Sequence, residues 1–444
     1  MAFTQTRRRV IGGIGATVVL PLFGTAARAV TVNKRRNIET LSAADLNTYK
    51  KAIQTLKDRS AANPDDPTGY SYWAGLHDDF ETPHSGCDHA SEQFFPWHRR
   101  YLYDFEQLLQ KIDAGIMIPY WDWTKVPTTG KKFPGVFEDA ASPLYDRTRK
   151  SVTPPPWDPV DLRKMVQDGS WTVFAGPAAS QGGGFGTVEG SPHNTLHGNI
   201  SRNMSNPTTA ANDPIFWSFH AFIDVTWSRW QRLHVSATSP QPFQDPNADL
   251  WYRDRSYKVG STASTSDYGY EYDYDFSPDG PPASTMVAAA RMRAPLAEGG
   301  PTQALALRRD KSGSVSGNAK AGSVTSAATV LRLTGVKAFH DRTYELAIYI
   351  HPKNVDIGTL KTGARKQYLV RTITIWQQHH DLVTSAFVRP SEEQIAKLNK
   401  GWVVTMMSEV APSEAPAGGA MAMSRHAPKL ATHDVVQGIS LEER

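Results

Sequence analysis

The chain has 444 residues, 40% hydrophobic and 21% charged, the balance of a folded globular protein long enough for two or three domains. The formal net charge is +4, but the first 29 residues hold four arginines (Arg7, Arg8, Arg9, Arg28) and no acid; with these set aside, basic and acidic residues balance at 44 each. That neutrality excludes a nucleic-acid or membrane-surface partner recognised through charge, and a single cysteine, Cys87, excludes an internal disulfide framework.

Taken in chain order, residues 1–29 read as an export signal. Arg7-Arg8-Arg9 precedes the apolar run Val10 to Phe23, and Ala27-Arg28-Ala29 supplies a small-x-small cleavage site. The paired arginines have twin-arginine character, so the expected destination is the periplasm or the exterior. The run holds three glycines and a proline and is short for a bilayer. Residues 30–276 form the first domain. Leu41 to Leu56 carries Leu46, Tyr49, Ile53 and Leu56 at helical spacing, with Ser42 and Asp45 at its start as a capping pair. His98 to Ile112 repeats the pattern with Leu102, Phe105, Leu109 and Ile112. Asp213-Pro214 opens a third helix, expected from Ile215 to Leu233. Between Lys125 and Gly190 proline and glycine dominate, which predicts loops and short helices.

Residues 277–328 are rich in Ala, Gly, Ser and Pro and read as a linker. Residues 329–410 read as a small β-sandwich-like domain. Tyr344, Leu346, Ile348 and Ile350 alternate with Glu345, Ala347 and Tyr349, and Tyr368 to Trp376 and Trp402 to Met407 are further strands. Residues 411–444 read as a flexible tail. The fold class is therefore mainly α, followed by a small β domain.

Six histidines dominate the chemistry: His77, His89 and His98, then His193, His197 and His220. His193 and His197 stand four apart, so on a helix both project from one face. His220 follows Asp213-Pro214 on the next helix, and His98 opens the helix that runs to Ile112. Two sets of three neutral imidazoles suit copper, zinc, iron or nickel, so ligand type alone leaves the metal open. No glutamate follows His193, which argues against the zinc-protease motif.

The runs around these residues carry a resemblance. His89-x4-Phe-Phe-Pro-Trp-His98-Arg-x2-Leu-x3-Glu106 and Asp213-Pro-x-Phe-Trp-x2-His220-x3-Asp224 are similar to the two copper-site signatures of the type-3 copper family of tyrosinases, catechol oxidases and hemocyanins. The resemblance implies a four-helix bundle holding two copper ions, with dioxygen as co-substrate. His77, His89 and His98 would bind the first copper, and His193, His197 and His220 the second. His84, five residues before His89 in a Pro/Ser/Gly turn, competes with His77 for the first position; the surroundings of His77, Trp73-Ala-Gly-Leu-His, favour it. Cys87-Asp88-His89 matches the C-x-H of family members in which the cysteine is joined by a thioether to that histidine. Asp224, one turn after His220, is expected to orient a ligand imidazole, with Arg99 or Arg229 balancing its charge.

The implied reaction is ortho-hydroxylation of small phenols and oxidation of catechols to quinones. A phenol with a pKa near ~10 must lose its proton before it binds a metal. The resemblance assigns that step to a water held by Glu189 and Asn194. Gly198, after His197, departs from family members with arginine there and leaves substrate preference open, while Met204 to Pro207 are expected near the entrance. The resemblance further implies that the β domain covers the copper site and inserts a side chain until a processing protease removes it. Arg291, Arg293, Arg308 and Arg309 in the linker would suit such a cut. Alternatives left open are a catechol or o-aminophenol oxidase without the hydroxylation step, an oxygen carrier, and a zinc hydrolase.

Overall fold

The computed structural model describes residues 33–443 apart from 78–85, 150–157, 201, 236–241, 253–254, 283–301, 310–313, 319–328, 340–341, 377–381 and 411–431. The export signal, His84, Arg291 and Arg293 therefore lie outside the described residues. Among the described residues no helix is long and apolar enough to cross a membrane.

Helix α1 spans Ala43–Ala62, α2 Tyr70–Gly75, α3 Phe94–Gln110, α4 Pro159–Gln167, α5 Asn194–Ile200 and α6 Ile215–His234. The cap expected at α1 is present: Ser42 Oγ accepts the Asp45 N–H at 3.1 Å, satisfying one of the orphan donors of the first turn. Helix α3 begins a turn before His98, because Pro96 is tolerated in a first turn and Phe94 and Phe95 are buried there. At the start of α6, Asp213 Oδ1 accepts the Ile215 N–H at 3.0 Å. The long helices α3 and α6 pack directly on each other. The expected bundle thus has two long members, α3 and α6, and two short ones, α2 and α5.

A buried ionic network holds α3 and α6 in place. Strand β1 (Asn33–Arg35) pairs in parallel with β4 (Tyr270–Tyr272); between them in sequence lies the hairpin of β2 (Asp249–Tyr252) and β3 (Arg255–Lys258). Arg35 of β1 donates to both oxygens of Glu106 on α3, at 2.8 and 3.2 Å. Glu106 Oε2 also accepts the Ile118 N–H at 2.8 Å. Asp224 on α6 accepts from Arg99 Nε and from the hydroxyls of Tyr270 and Tyr272, each at 2.6 Å. These charges are buried, and such groups persist in a core only when paired and hydrogen-bonded.

The second domain is a two-sheet sandwich. Its strands are β5 (Thr302–Ala304), β6 (Ala306–Arg309), β7 (Val315–Asn318), β8 (Thr329–Ala338), β9 (Tyr344–His351), β10 (Leu369–Ile375), β11 (Leu382–Val388), β12 (Val403–Val410) and β13 (Gly438–Glu443). One sheet has the order β10-β9-β12-β7-β6 and the other β11-β8-β13-β5. Two expected boundaries are corrected. The segment read as linker, 277–328, contributes three strands, and the segment read as flexible tail ends in β13, which lies between β8 and β5. Both segments are rich in small residues that weaken local strand signals; neighbouring strands in the sheet, distant in sequence, supply the missing pairing. Arg308 and Arg309 consequently sit in β6, paired with Ser316 and Val315.

The alternation read at Tyr344 to Ile350 has a different outcome from the half-exposed strand it implies. Leu346, Ile348 and Ile350 face the sandwich core. Ala347 and Tyr349 pack beneath Ile357, Leu360 and Tyr368 on the opposite face. The 352–368 connection covers the second face, so β9 is buried on both sides.

The two domains exchange apolar side chains. Ala90 and Phe185 of the first belong to the core of the second, and Trp376 of the second belongs to the core of the first. Phe185 forms a parallel bridge with Ala386 of β11: its N–H donates to Ser385 O at 2.8 Å and its carbonyl accepts the Phe387 N–H at 3.3 Å. The first domain therefore adds a short segment to an edge strand that would otherwise be unpaired. Glycine is required for this approach. Gly184 has φ +157°, and a Cβ there would lie 2.3 Å from Ser385 Oγ. An ion pair between Arg389 and Asp168 closes the same interface.

Candidate metal centre

The structure brings the histidines together in two groups of three. His77 follows the C-terminal turn of α2, His89 lies on the loop entering α3, and His98 projects from the first turns of α3. One ligand nitrogen from each lies within 4.8 Å of the others, and the same holds for His193, His197 and His220. His193 precedes α5, His197 lies within it, and His220 comes from α6. The triads face each other: the rings of His98 and His220 stack with centroids 4.3 Å apart, and those of His89 and His193 are 5.5 Å apart.

A fixed tautomer is built into five of the six rings. Nδ1 donates to a named acceptor in each: His77 to Pro207 O at 2.8 Å, His89 to Glu189 Oε1 at 2.8 Å, His98 to Phe94 O at 2.8 Å, His193 to Asn194 Oδ1 at 2.8 Å and His197 to Met204 O at 2.7 Å. With the proton on Nδ1, Nε2 carries the lone pair. The Nε2 atoms of His77, His89, His98 and His193 are buried without a hydrogen-bond partner, and those of His197 and His220 lie 3.1 Å apart. Buried orphan acceptors are costly unless something occupies them. Converging neutral imidazoles are what a pair of copper ions takes as ligands, so the residues fit the metal the motifs imply. Burial drives all six imidazoles towards the neutral form, with neighbouring histidines adding to the effect in most of them. His77 and His89 are pulled down to about 3, and His98, His193, His197 and His220 well below their ordinary value.

The other expected site residues divide. Glu189 is buried, and its Oε1 accepts both His89 Nδ1–H and the Ala90 N–H, the latter at 2.9 Å; Oε2 is buried without a partner. Burial pushes the Glu189 carboxyl up, and the Ala90 hydrogen bond opposes it. Asn194 accepts from His193 and donates through Nδ2 to Thr374 O of the second domain at 3.0 Å. Cys87 is a buried thiol two residues before His89.

Asp224 differs from expectation. Its oxygens serve Arg99, Tyr270 and Tyr272, and His220 Nδ1 has no partner. Arg99 and the two tyrosines of β4 together engage both carboxylate oxygens. Arg99 is its counter-charge, while Arg229 pairs with Asp279 instead. Of the acidic residues that end the signature runs, Glu106 thus fastens α3 to β1 and Asp224 fastens α6 to α3 and β4.

Sequence reasoning missed Trp376. This residue follows β10, is fully buried and stacks on the His197 ring at 4.3 Å with planes 24° apart. It stands edge-on to His89 and His193 at 5.6 and 6.0 Å, and its Nε1–H donates to Ser205 O at 2.8 Å. A Trp ending a predicted strand was the available signal, but only the tertiary fold places that strand end over the histidines. Residues 204–207, expected near an entrance, supply carbonyls to His77, His197 and Trp376. At Gly198 an added Cβ would meet nothing within 4 Å.

A family model described as the common central domain of tyrosinase matches residues 67–172 and 158–233. Tyrosinase HcTyr1 of Hahella sp. (strain CCB-MM4) is 29% identical over 245 residues, covering 44% of this chain and 53% of that protein; the chain thus spans about half the length of this relative. The tyrosinase of Streptomyces glaucescens is 29% identical over 286 residues, 54% of this chain and 98% of that protein. The solved structure of latent apple tyrosinase has a TM-score of 0.62 at 21% identity, covering 93% of this chain and 96% of that one, a likeness of fold. Both histidine triads lie within the matched residues, so the chain carries the common central domain of tyrosinase, the copper-binding domain of the type-3 copper family.

Proposed function

We propose that the chain is a copper-dependent phenol oxidase that hydroxylates small monophenols and oxidises catechols to o-quinones with dioxygen, and that it is latent while the second domain is docked. The observation that carries the reading is the stacking of Trp376 on His197 beside two facing imidazole triads. A planar aromatic ring is already accommodated at that position, with a hydrogen-bond acceptor, Ser205 O, at its edge.

A bound copper pair would supply the electrons that reduce dioxygen and would accept those of the substrate. The chain's own residues have three tasks. The Nδ1 contacts hold five of the six rings in one tautomer and orientation. Phe94, Phe216 and Phe219 pack against the ligand rings and exclude water. Glu189 and Asn194 manage the phenol's proton through a water. Docking engages Asn194 Nδ2 with Thr374 O, so uncovering frees a donor as well as the ring position. A thioether between Cys87 and His89 would fix that ring further; mass spectrometry of the peptide carrying both would read a loss of two hydrogens. Export by the twin-arginine route and cutting by a protease at the arginines of the 277–328 segment belong to the same proposal.

The test is oxygen uptake with tyrosine and with its catechol counterpart, before and after limited proteolysis. Uptake with both after trimming supports the reading. Uptake with the catechol alone identifies a catechol oxidase, and reversible oxygen binding without turnover of either identifies a carrier.

A further inference from the structure

The loop from Asn203 to Pro207 receives a hydrogen bond from one histidine of each triad and from the covering domain. Met204 O accepts from His197 of the second triad, and Pro207 O from His77 of the first. Between them in sequence, Ser205 O accepts from Trp376. Successive carbonyls of a turn point in different directions, so a short loop can address rings on three sides. Such a loop orients them only if it is itself held.

The holding contact is made at its first residue. Asn203 Nδ2 donates to Asp146 Oδ2 at 2.6 Å. Asp146 is buried, and its other oxygen accepts the Thr148 N–H at 2.7 Å. Asn203 O in turn accepts the Asn206 N–H at 3.2 Å and Thr209 Oγ1–H at 3.1 Å, so the turn closes on the residue that Asp146 fixes. Asp146 lies in a connection distant in sequence from both signature runs, and none of its hydrogen bonds goes to a histidine of either triad.

We propose that Asn203 and Asp146 are positioning residues for both metal ions at once: their hydrogen bond sets the loop whose carbonyls orient His77 and His197. The proposal rests on the two-copper reading, and it predicts coupling. Loosening one contact at Asn203 should weaken the hold on both coppers, whereas removing a single ligand weakens one site first.

The test uses copper-loaded, full-length protein and measures copper per chain and the rate of copper release to a chelator. Asn203→Asp places two carboxylates in contact and should speed release of both coppers by roughly tenfold or more, the usual scale for losing an outer partner of a ligand. The double variant Asp146→Asn/Asn203→Asp rebuilds the hydrogen bond with donor and acceptor exchanged and the charge unchanged, and should return release to near the parent rate. His98→Ala is the comparison that loses one site first. Release from Asn203→Asp at the parent rate, release of one copper only, or failure of the double variant to restore it would overturn the proposal. If Asn203→Asp does not fold, Asn203→Ala, which removes the donor without adding charge, carries the same expectation, with the same outcomes against it. A parent protein that binds fewer than two coppers would instead count against the two-copper reading.

Discussion

The indole of Trp376 lies 4.3 Å from the imidazole of His197, nearly parallel to it. One residue belongs to the covering domain and the other to the metal centre, so the contact joins the two halves of the chain at the point where chemistry would occur. Truncating the indole should therefore unmask the site without any cut. We expect Trp376→Ala, full-length and copper-loaded, to oxidise a small catechol roughly tenfold faster or more, a factor worth about 1.4 kcal/mol. Initial rates of oxygen uptake check this. Unchanged latency would mean that the rest of the domain, and not the indole, closes the site.

Docking can be loosened at a distance from Trp376. Gly184 sits at φ +157° against Ser385, so Gly184→Ala forces both backbone strain and a clash at the Phe185–Ala386 bridge. Strain at such a position costs about 1–3 kcal/mol. The expected outcome is an intact chain that is active without proteolysis and is cut faster at the linker. A variant as latent and as protease-resistant as the parent would show that the bridge does not hold the domain.

The role of Asp224 is decided by which property its loss affects. Removing one partner from a buried charged network destabilises by about 3–5 kcal/mol. Asp224→Asn should lower the melting temperature of the copper-free protein and leave copper stoichiometry intact in the folded fraction. Selective loss of the second copper with unchanged stability would restore the ligand-orienting role.

Glu189 separates the two half-reactions. Glu189→Gln retains an oxygen to accept from His89 and Ala90 but cannot take up a proton. In the trimmed enzyme we expect the hydroxylation rate to fall by roughly 10²-fold or more, the scale of general-base catalysis, with catechol oxidation much less affected. Equal loss of both rates would assign Glu189 to holding His89 alone.

The metal centre was legible because the runs around His89 to Glu106 and Asp213 to Asp224 resemble the copper-site signatures of a known family, whereas helical spacing alone reached only His193 and His197. His193 and His197 needed only one helix. Asp224 was misread because helical spacing from His220 says nothing of β1 and β4, which arrive from residues 33–35 and 270–272 to claim its oxygens. Trp376, Thr374 and the carbonyls of Met204 and Pro207 carry no composition signal, since backbone acceptors are common to every residue. The β domain was recognised at its longest strands, but β5 to β7 and β13 lie in segments of small residues whose strand character comes from partners far along the chain.

The most direct test of the account is metal analysis with electron paramagnetic resonance on the full-length, copper-loaded, oxidised protein. Two cupric ions held this close by facing triads would couple their unpaired spins. The account predicts about two coppers per chain and almost no resonance signal. One copper per chain with an ordinary cupric signal, or zinc in place of copper, would contradict it.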